Sequence, residues 1–143
     1  MKQQFHTITI QTRGARFHEF TREADAFVSA SGIADGLLTC FIRHTSASLL
    51  IQENADPNVQ RDLIDAFDRL APQDFNYVHD DEGPDDMPSH IKSALTAVSL
   101  GVPVREGRML LGTWQGLYLF EHRIAAHRRE VTLHLIGDRK SVV

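Results

Sequence analysis

Cysteine is nearly absent from this 143-residue chain, with Cys40 the only one. An intrachain disulfide is therefore excluded, and a reducing compartment is expected. Long apolar runs are missing as well. No stretch approaches the ~20 residues of a membrane span, and the opening Met1-Lys2-Gln3-Gln4-Phe5-His6 has no apolar signal core. The expectation is a cytoplasmic protein with no membrane partner. An excess of positive charge is lacking too, since 15 Lys and Arg stand against 19 Asp and Glu, giving a formal net charge of -4. Nucleic acid is excluded as the main partner, because neutralising phosphates needs a basic face. His127-Arg128-Arg129 is too short a cluster to supply one. Repeats, low-complexity segments and linkers are also absent.

What is present is a globular composition, 42% hydrophobic and 24% charged. It fits one domain over residues 1–143, long enough for a real core. Eight histidines are the unusual count, and their placement matters because imidazole binds metals and moves protons near neutral pH.

Read in order, residues 5–11 alternate with β-branched side chains and predict a strand. Thr21 as a cap, Glu23 and Asp25 near the positive end, and Phe20, Ala24, Phe27 and Val28 at helical spacing predict a helix stopped by Gly32. Leu37–Arg43 and Leu49–Gln52 read as neighbouring sheet segments, joined by the polar knot His44-Thr45-Ser46-Ala47-Ser48. Asp56-Pro57 starts a second helix with an apolar face on Val59, Leu63, Ala66, Phe67 and Leu70, ended by Pro72. Residues 73–88 lack periodicity, and loops this long are often functional. Ile91, Leu95 and Val98 mark a third helix, stopped at Gly101. Val102–Arg105 is a strand confined to an edge or a beginning by Pro103. Glu106-Gly107 turns it into a hairpin with Gly107–His122, and Val131–Ile136 is a last strand pairing with that stretch. Hairpins mixed with helices predict an α+β class, with about three helices.

Within Gly107–His122, alternation puts Gln115, Leu117, Leu119 and Glu121 on one face and Tyr118, Phe120 and His122 on the other. Such an apolar strand belongs in the middle of a sheet, and Glu121 needs a partner there. Trp114 is either core or a ligand-facing ring. Cys40, between Thr39 and Phe41, reads as a buried small hydrophobe.

Two further clusters could carry chemistry. His44-Thr45-Ser46, with Asn54 downstream, offers hydroxyls and backbone N–H groups to phosphate oxygens, or is simply a polar bend. His79-Asp80-Asp81-Glu82 with His90 offers ligands to a divalent metal, or is a solvated acidic loop. Dominant histidines would favour Zn²⁺, Mn²⁺ or Fe²⁺, and dominant carboxylates Mg²⁺. The His79–His90 spacing matches no short zinc signature.

Taken together these motifs have the order of a known family. Gly36-Leu37-Leu38, His44-Thr45-Ser46-Ala47-Ser48, Gln52-Glu53-Asn54 with Asp56-Pro57, and Tyr77-Val78-His79 are followed by Gly83-Pro84-Asp85-Asp86, Ser89-His90-Ile91-Lys92, and Leu111-Gly112-Thr113-Trp114-Gln115 with Glu121. Over roughly residues 5 to 137 the chain resembles the YjbQ-type family, described as secondary thiamine-phosphate synthases. Asp86-Met87 stands where the family often has Asn-Ala. The resemblance implies an α+β domain with a β-sandwich-like core, a homotrimer, and a site built around His44, His79 and His90.

It also implies a weak synthase-type transferase, joining a thiazole phosphate to a pyrimidine pyrophosphate. In that scheme His44, His79 and His90 hold a divalent ion, Mg²⁺ or Zn²⁺. Thr45, Ser46, Asn54 and Arg105, with Arg43, grip phosphates. Trp114 stacks on the heterocycle and Gln115 reads its edge, while His44 is catalytic and Glu121 orients its imidazole. Two alternatives use the same residues: a trimer that binds a small anion or metal without physiological catalysis, and a metal-dependent phosphate-ester hydrolase.

Overall fold

The strongest alternating runs form the longest strands. In the computed structural model, which describes residues 1–141, β1 is Lys2–Gln11, β3 is Ile33–Ile42 and β8 is Arg128–Arg139. Between and after them lie β2 (Phe17–Glu19), α1 (Thr21–Ala30), β4 (Ala47–Glu53), α2 (Pro57–Leu70), α3 (Asp86–Leu95), β5 (Ser99–Arg105), β6 (Arg108–Met109) and β7 (Gln115–Glu121). Every strand pair is antiparallel, in two sheets ordered β1-β8-β3-β5-β6 and β2-β7-β4. The α+β class holds, with three helices among the described residues.

The alternation decides which face each side chain takes. Leu38, Cys40 and Ile42 of β3 and Val131, Leu133 and Leu135 of β8 meet Leu49, Leu117 and Leu119 of the smaller sheet in one buried core. Ala24 and Val28 of α1 complete it. Cys40 is fully buried, as its sequence setting predicts, and burial pushes its thiol pKa up to about 12. On the other face of the smaller sheet, Phe17, Tyr118 and Phe120 pack beneath Leu63, Ile64 and Phe67 of α2. The N-terminus of α2 is held by Asp56, whose carboxylate accepts the Asn58 N–H at 2.9 Å, with Pro57 in the first turn. Among the described residues, no helix covers the outer face of the larger sheet, where Phe5 is 70%, Leu37 45% and Phe41 42% exposed.

Several expectations are corrected by this topology. The two apolar runs flanking His44 are not neighbours, because β3 belongs to the larger sheet and β4 to the smaller. The polar knot is the crossover between them. Likewise Gly107–His122 is not half of a hairpin. The hairpin is β5–β6, turned by Glu106 and Gly107 at φ 53 and 79, and the Gly112–Gln115 turn then carries the chain to the other sheet. The last strand pairs with β1 and β3 rather than with β7. Residues 99–101 join β5 instead of extending α3, since pairing with β3 overrides their helical spacing. Thr21 does not cap α1 with its side chain: its hydroxyl donates to Glu19 and accepts the Leu117 N–H at 2.8 Å, tying α1 to β7. Pro103 is neither on an edge strand nor at a strand start, since β5 begins at Ser99 and runs between β3 and β6; its carbonyl accepts the Leu110 N–H, so its missing N–H falls on the side of two-residue β6. Among the described residues, no helix is long and apolar enough to cross a membrane.

Candidate metal centre at the start of helix α3

The sharpest convergence of ligating atoms lies at the N-terminus of α3. Asp86 opens the helix, and His90 follows four residues later, so both project from one face. His79 arrives from the long loop. One ligand atom from each of His79, Asp86 and His90 lies within 4.8 Å of the other two, the single such group among the described residues. Asp86 Oδ2 is 2.7 Å from His79 Nε2 and 3.3 Å from His90 Nε2. Asp86 is buried, whereas the histidine side chains are 43% and 34% exposed, so the group is open to solvent on the imidazole side.

The electrostatics favour an ionised carboxylate. Burial alone would raise the Asp86 pKa, but hydrogen bonding with His79 and Glu82 and the charges of His90 and Arg123 hold it below the usual range. The hydrogen bond to Asp86 in turn raises the His79 pKa. A cleft of about 720 Å³ adjoins the group, lined by Phe75, Asn76, Tyr77 and Met87 with His79, Asp80 and Asp81. Phe75 and Tyr77 pair there with ring centres 4.9 Å apart.

His44 lies elsewhere in the chain. Its Nε2 accepts the Glu130 N–H at 3.2 Å, and it lines a cleft of about 330 Å³ with Arg43, Arg128, Glu130 and Thr132. Burial, then the charge of Arg129, lowers its pKa. Ser46 is engaged by Arg129, which donates to its carbonyl and hydroxyl, while Thr45 is exposed.

The hydrogen-bonding partner of Glu121 is Arg129 rather than a histidine, with His127 Nδ1 farther off at 3.9 Å. The Glu121 carboxylate is fully buried, accepts from Arg129 and Thr12, and also accepts the His122 and Arg123 N–H groups. Burial would raise its pKa, yet these donors keep it low.

The remaining predicted residues stand apart from both groups. Gln115 begins β7 and Glu121 ends it, about 20 Å away at ~3.3 Å per residue. Trp114 is 63% exposed, so it is not core, and its carbonyl accepts the Asn54 N–H at 2.9 Å. Gln115 closes its own turn by accepting the Gly112 N–H. Arg105 is exposed at the end of β5, next to the β5–β6 turn. Within one chain, then, His79 and His90 meet each other, while His44, Arg105 and the Trp114 end do not join them.

These motifs and this fold identify the lineage. Residues 6–138 match the family described as UPF0047 protein YjbQ-like. The chain belongs to the YjbQ family. A UPF0047 protein of Synechocystis is 50% identical over 138 residues, 96% of this chain and 94% of that protein. The UPF0047 protein YjbQ of Salmonella typhimurium is 46% identical over 92% of this chain and 96% of its own length. A crystal structure of a YjbQ/UPF0047 family protein from Clostridium acetobutylicum superposes with TM-score 0.85 at 32% identity, covering 92% of this chain and 99% of that one.

Sequence reasoning missed three participants around the YjbQ-family histidines. Asp86 had a usable signal, its i,i+4 spacing to His90 on a predicted helix. Asp85 and Arg123 had none, since only the fold brings residue 123 beside residues 85 and 86. His122, on the same face of the chain as Tyr118 and Phe120, is 2% exposed.

Proposed function

We propose that this chain is a metal-assisted transferase for a small phosphorylated substrate, of the thiamine-phosphate synthase type that its family resemblance implies. The observation that carries this reading is the convergence of His79, Asp86 and His90 beside an aromatic-walled cleft. Two imidazoles and one carboxylate suit Zn²⁺, Mn²⁺ or Fe²⁺ better than Mg²⁺. A bound ion would supply positive charge against a departing pyrophosphate.

The chain's own residues do the rest. Asp86 presents Oδ2 beside the imidazole nitrogens of both histidines, and the Phe75–Tyr77 pair offers apolar faces to a flat heterocycle. Arg43, Arg128 and His44 form a second, separate polar cleft that suits a phosphate. The reading includes a homotrimer, supported by the uncovered apolar face of the larger sheet. Association is also the way that His44, or the Trp114 end of one copy, could approach the His79 group of another. The buried thiol of Cys40 accords with action in the cytoplasm.

The test combines metal analysis with turnover. Alanine at His79 or His90 is expected to abolish both stoichiometric metal and condensation of the thiazole and pyrimidine phosphates. Unchanged metal content and activity would overturn the reading. A kcat/KM far below ~10⁴ M⁻¹s⁻¹ on every candidate substrate would favour a ligand-binding trimer instead.

A further inference from the structure

The carboxylate at the centre of the candidate metal group is not free to choose how it binds. Arg123 Nη1 donates to Asp86 Oδ1 at 2.9 Å, on the oxygen opposite the one that faces His79 and His90. The same guanidinium donates through Nε to Asp85 Oδ2 at 3.1 Å and through Nη2 to the Glu82 carbonyl at 3.0 Å. Asp85 Oδ2 is itself fixed by the Ile124 N–H at 2.8 Å. Arg123 therefore grips three points on the loop and the first turn of α3, and its own backbone N–H is anchored on Glu121 at 3.2 Å.

Resting on the reading of His79, Asp86 and His90 as metal ligands, we propose that Arg123 is a positioning residue that confines Asp86 to coordination through Oδ2 alone. A planar guanidinium occupying Oδ1 leaves the carboxylate one usable oxygen and fixes its plane. The centre then offers two nitrogens and one oxygen, with the remaining positions open to a ligand. That donor set selects a first-row transition ion such as Zn²⁺ or Co²⁺ over Ca²⁺, which needs six to eight oxygens and often a two-oxygen carboxylate. The Asp85 carboxylate bonds Arg123 and the Ile124 N–H and acts on the centre through Arg123.

The experiment uses full-length protein stripped with chelator and titrated with Zn²⁺, Co²⁺ and Ca²⁺ by calorimetry, with the Co²⁺ absorption spectrum as readout of coordination. Wild type is expected to bind Zn²⁺ and Co²⁺ and to ignore Ca²⁺ at the same concentrations. Arg123→Gln is expected to lose Zn²⁺ affinity by ~10- to 100-fold, the range for residues that orient ligands, and to change the Co²⁺ spectrum. Asp85→Asn should shift both in the same direction by less, which keeps the test valid if Arg123→Gln does not fold. Wild-type affinity and spectrum in either variant would overturn the clamp while leaving the ligand assignment standing. Wild type that binds neither Zn²⁺ nor Co²⁺ would overturn the metal reading itself, and the clamp with it.

Discussion

Arg129 lies across the buried carboxylate of Glu121, Nε to Oε1 at 2.8 Å and Nη2 to Oε2 at 2.5 Å, where the start of β8 passes the end of β7. The pair bridges the two sheets. Both side chains are buried, so removing one leaves the other charged without compensation, at a cost of about 3–5 kcal/mol. Glu121→Gln should lower the urea midpoint accordingly. Any loss of activity should track the unfolded fraction, and metal content of the folded protein should not change. A Glu121→Gln protein of wild-type stability with no activity would instead give the carboxylate a direct chemical role.

Much of this was legible in the residues, and what was not has a physical reason. Period-two alternation separates Leu117 and Leu119, which enter the main core, from Tyr118 and Phe120, which pack beneath α2, and the apolar run at Leu117–Phe120 marks the strand as central, because burial acts on each residue locally. The partner of Glu121 was not legible. Imidazole and guanidinium both answer a buried carboxylate, and only the register of β8 against β1 delivers Arg129. Of the three histidines named from sequence, the fold brings His79 and His90 together and leaves His44 apart, while Asp86 joins them only because the helix starts at residue 86.

Trp114 is the only tryptophan and stands 63% exposed within the Gly112–Gln115 turn. Its fluorescence should be readily quenched by acrylamide in the native protein. Trp114→Ala should change stability by less than about 0.5 kcal/mol, as exposed substitutions do. If the ring stacks on a heterocycle in the assembled protein, the same substitution raises KM for the pyrimidine substrate. A large stability loss together with slow quenching would show a packed ring.

Gly36 and Gly137 face one another across β3 and β8, beside the irregularity between Ile33 and Asp35. A Cβ on Gly36 would collide with the Ile136 carbonyl, and one on Gly137 with the Asp35 carbonyl. Backbone cannot step aside as a side-chain tip can. Gly36→Ala and Gly137→Ala should each destabilise by more than about 1 kcal/mol, within the usual range for strain at a crowded site. Alanine at exposed Gly112, where a Cβ would meet only the Gln115 side chain at ordinary contact distance, should be tolerated.

His122 gives the fold an acid-sensitive point. Its Nε2 bonds the Ser48 hydroxyl at 2.9 Å, its Nδ1 has no partner among the described residues, and its ring packs 4.4 Å from that of Phe120. Burial, followed by the charge of Lys92 on α3, pushes its pKa down to about 3, with Arg129 on β8 adding to this and Glu121 opposing it. The native state therefore keeps His122 neutral, whereas the unfolded chain protonates it near pH 6.5. Between those two values the unfolded state holds the extra proton, so this contribution is complete above about pH 6.5 and is lost as the pH falls. Its slope is at most about 1.4 kcal/mol per pH unit. His18 and His44, whose pKa values are also lowered, tilt the curve the same way, and His79 tilts it the other way. The decisive quantity is thus the difference from His122→Gln, measured by urea unfolding at about pH 7, 6 and 5. The variant should start less stable and lose less on acidification. Parallel curves for the two proteins would show that His122 does not titrate on unfolding.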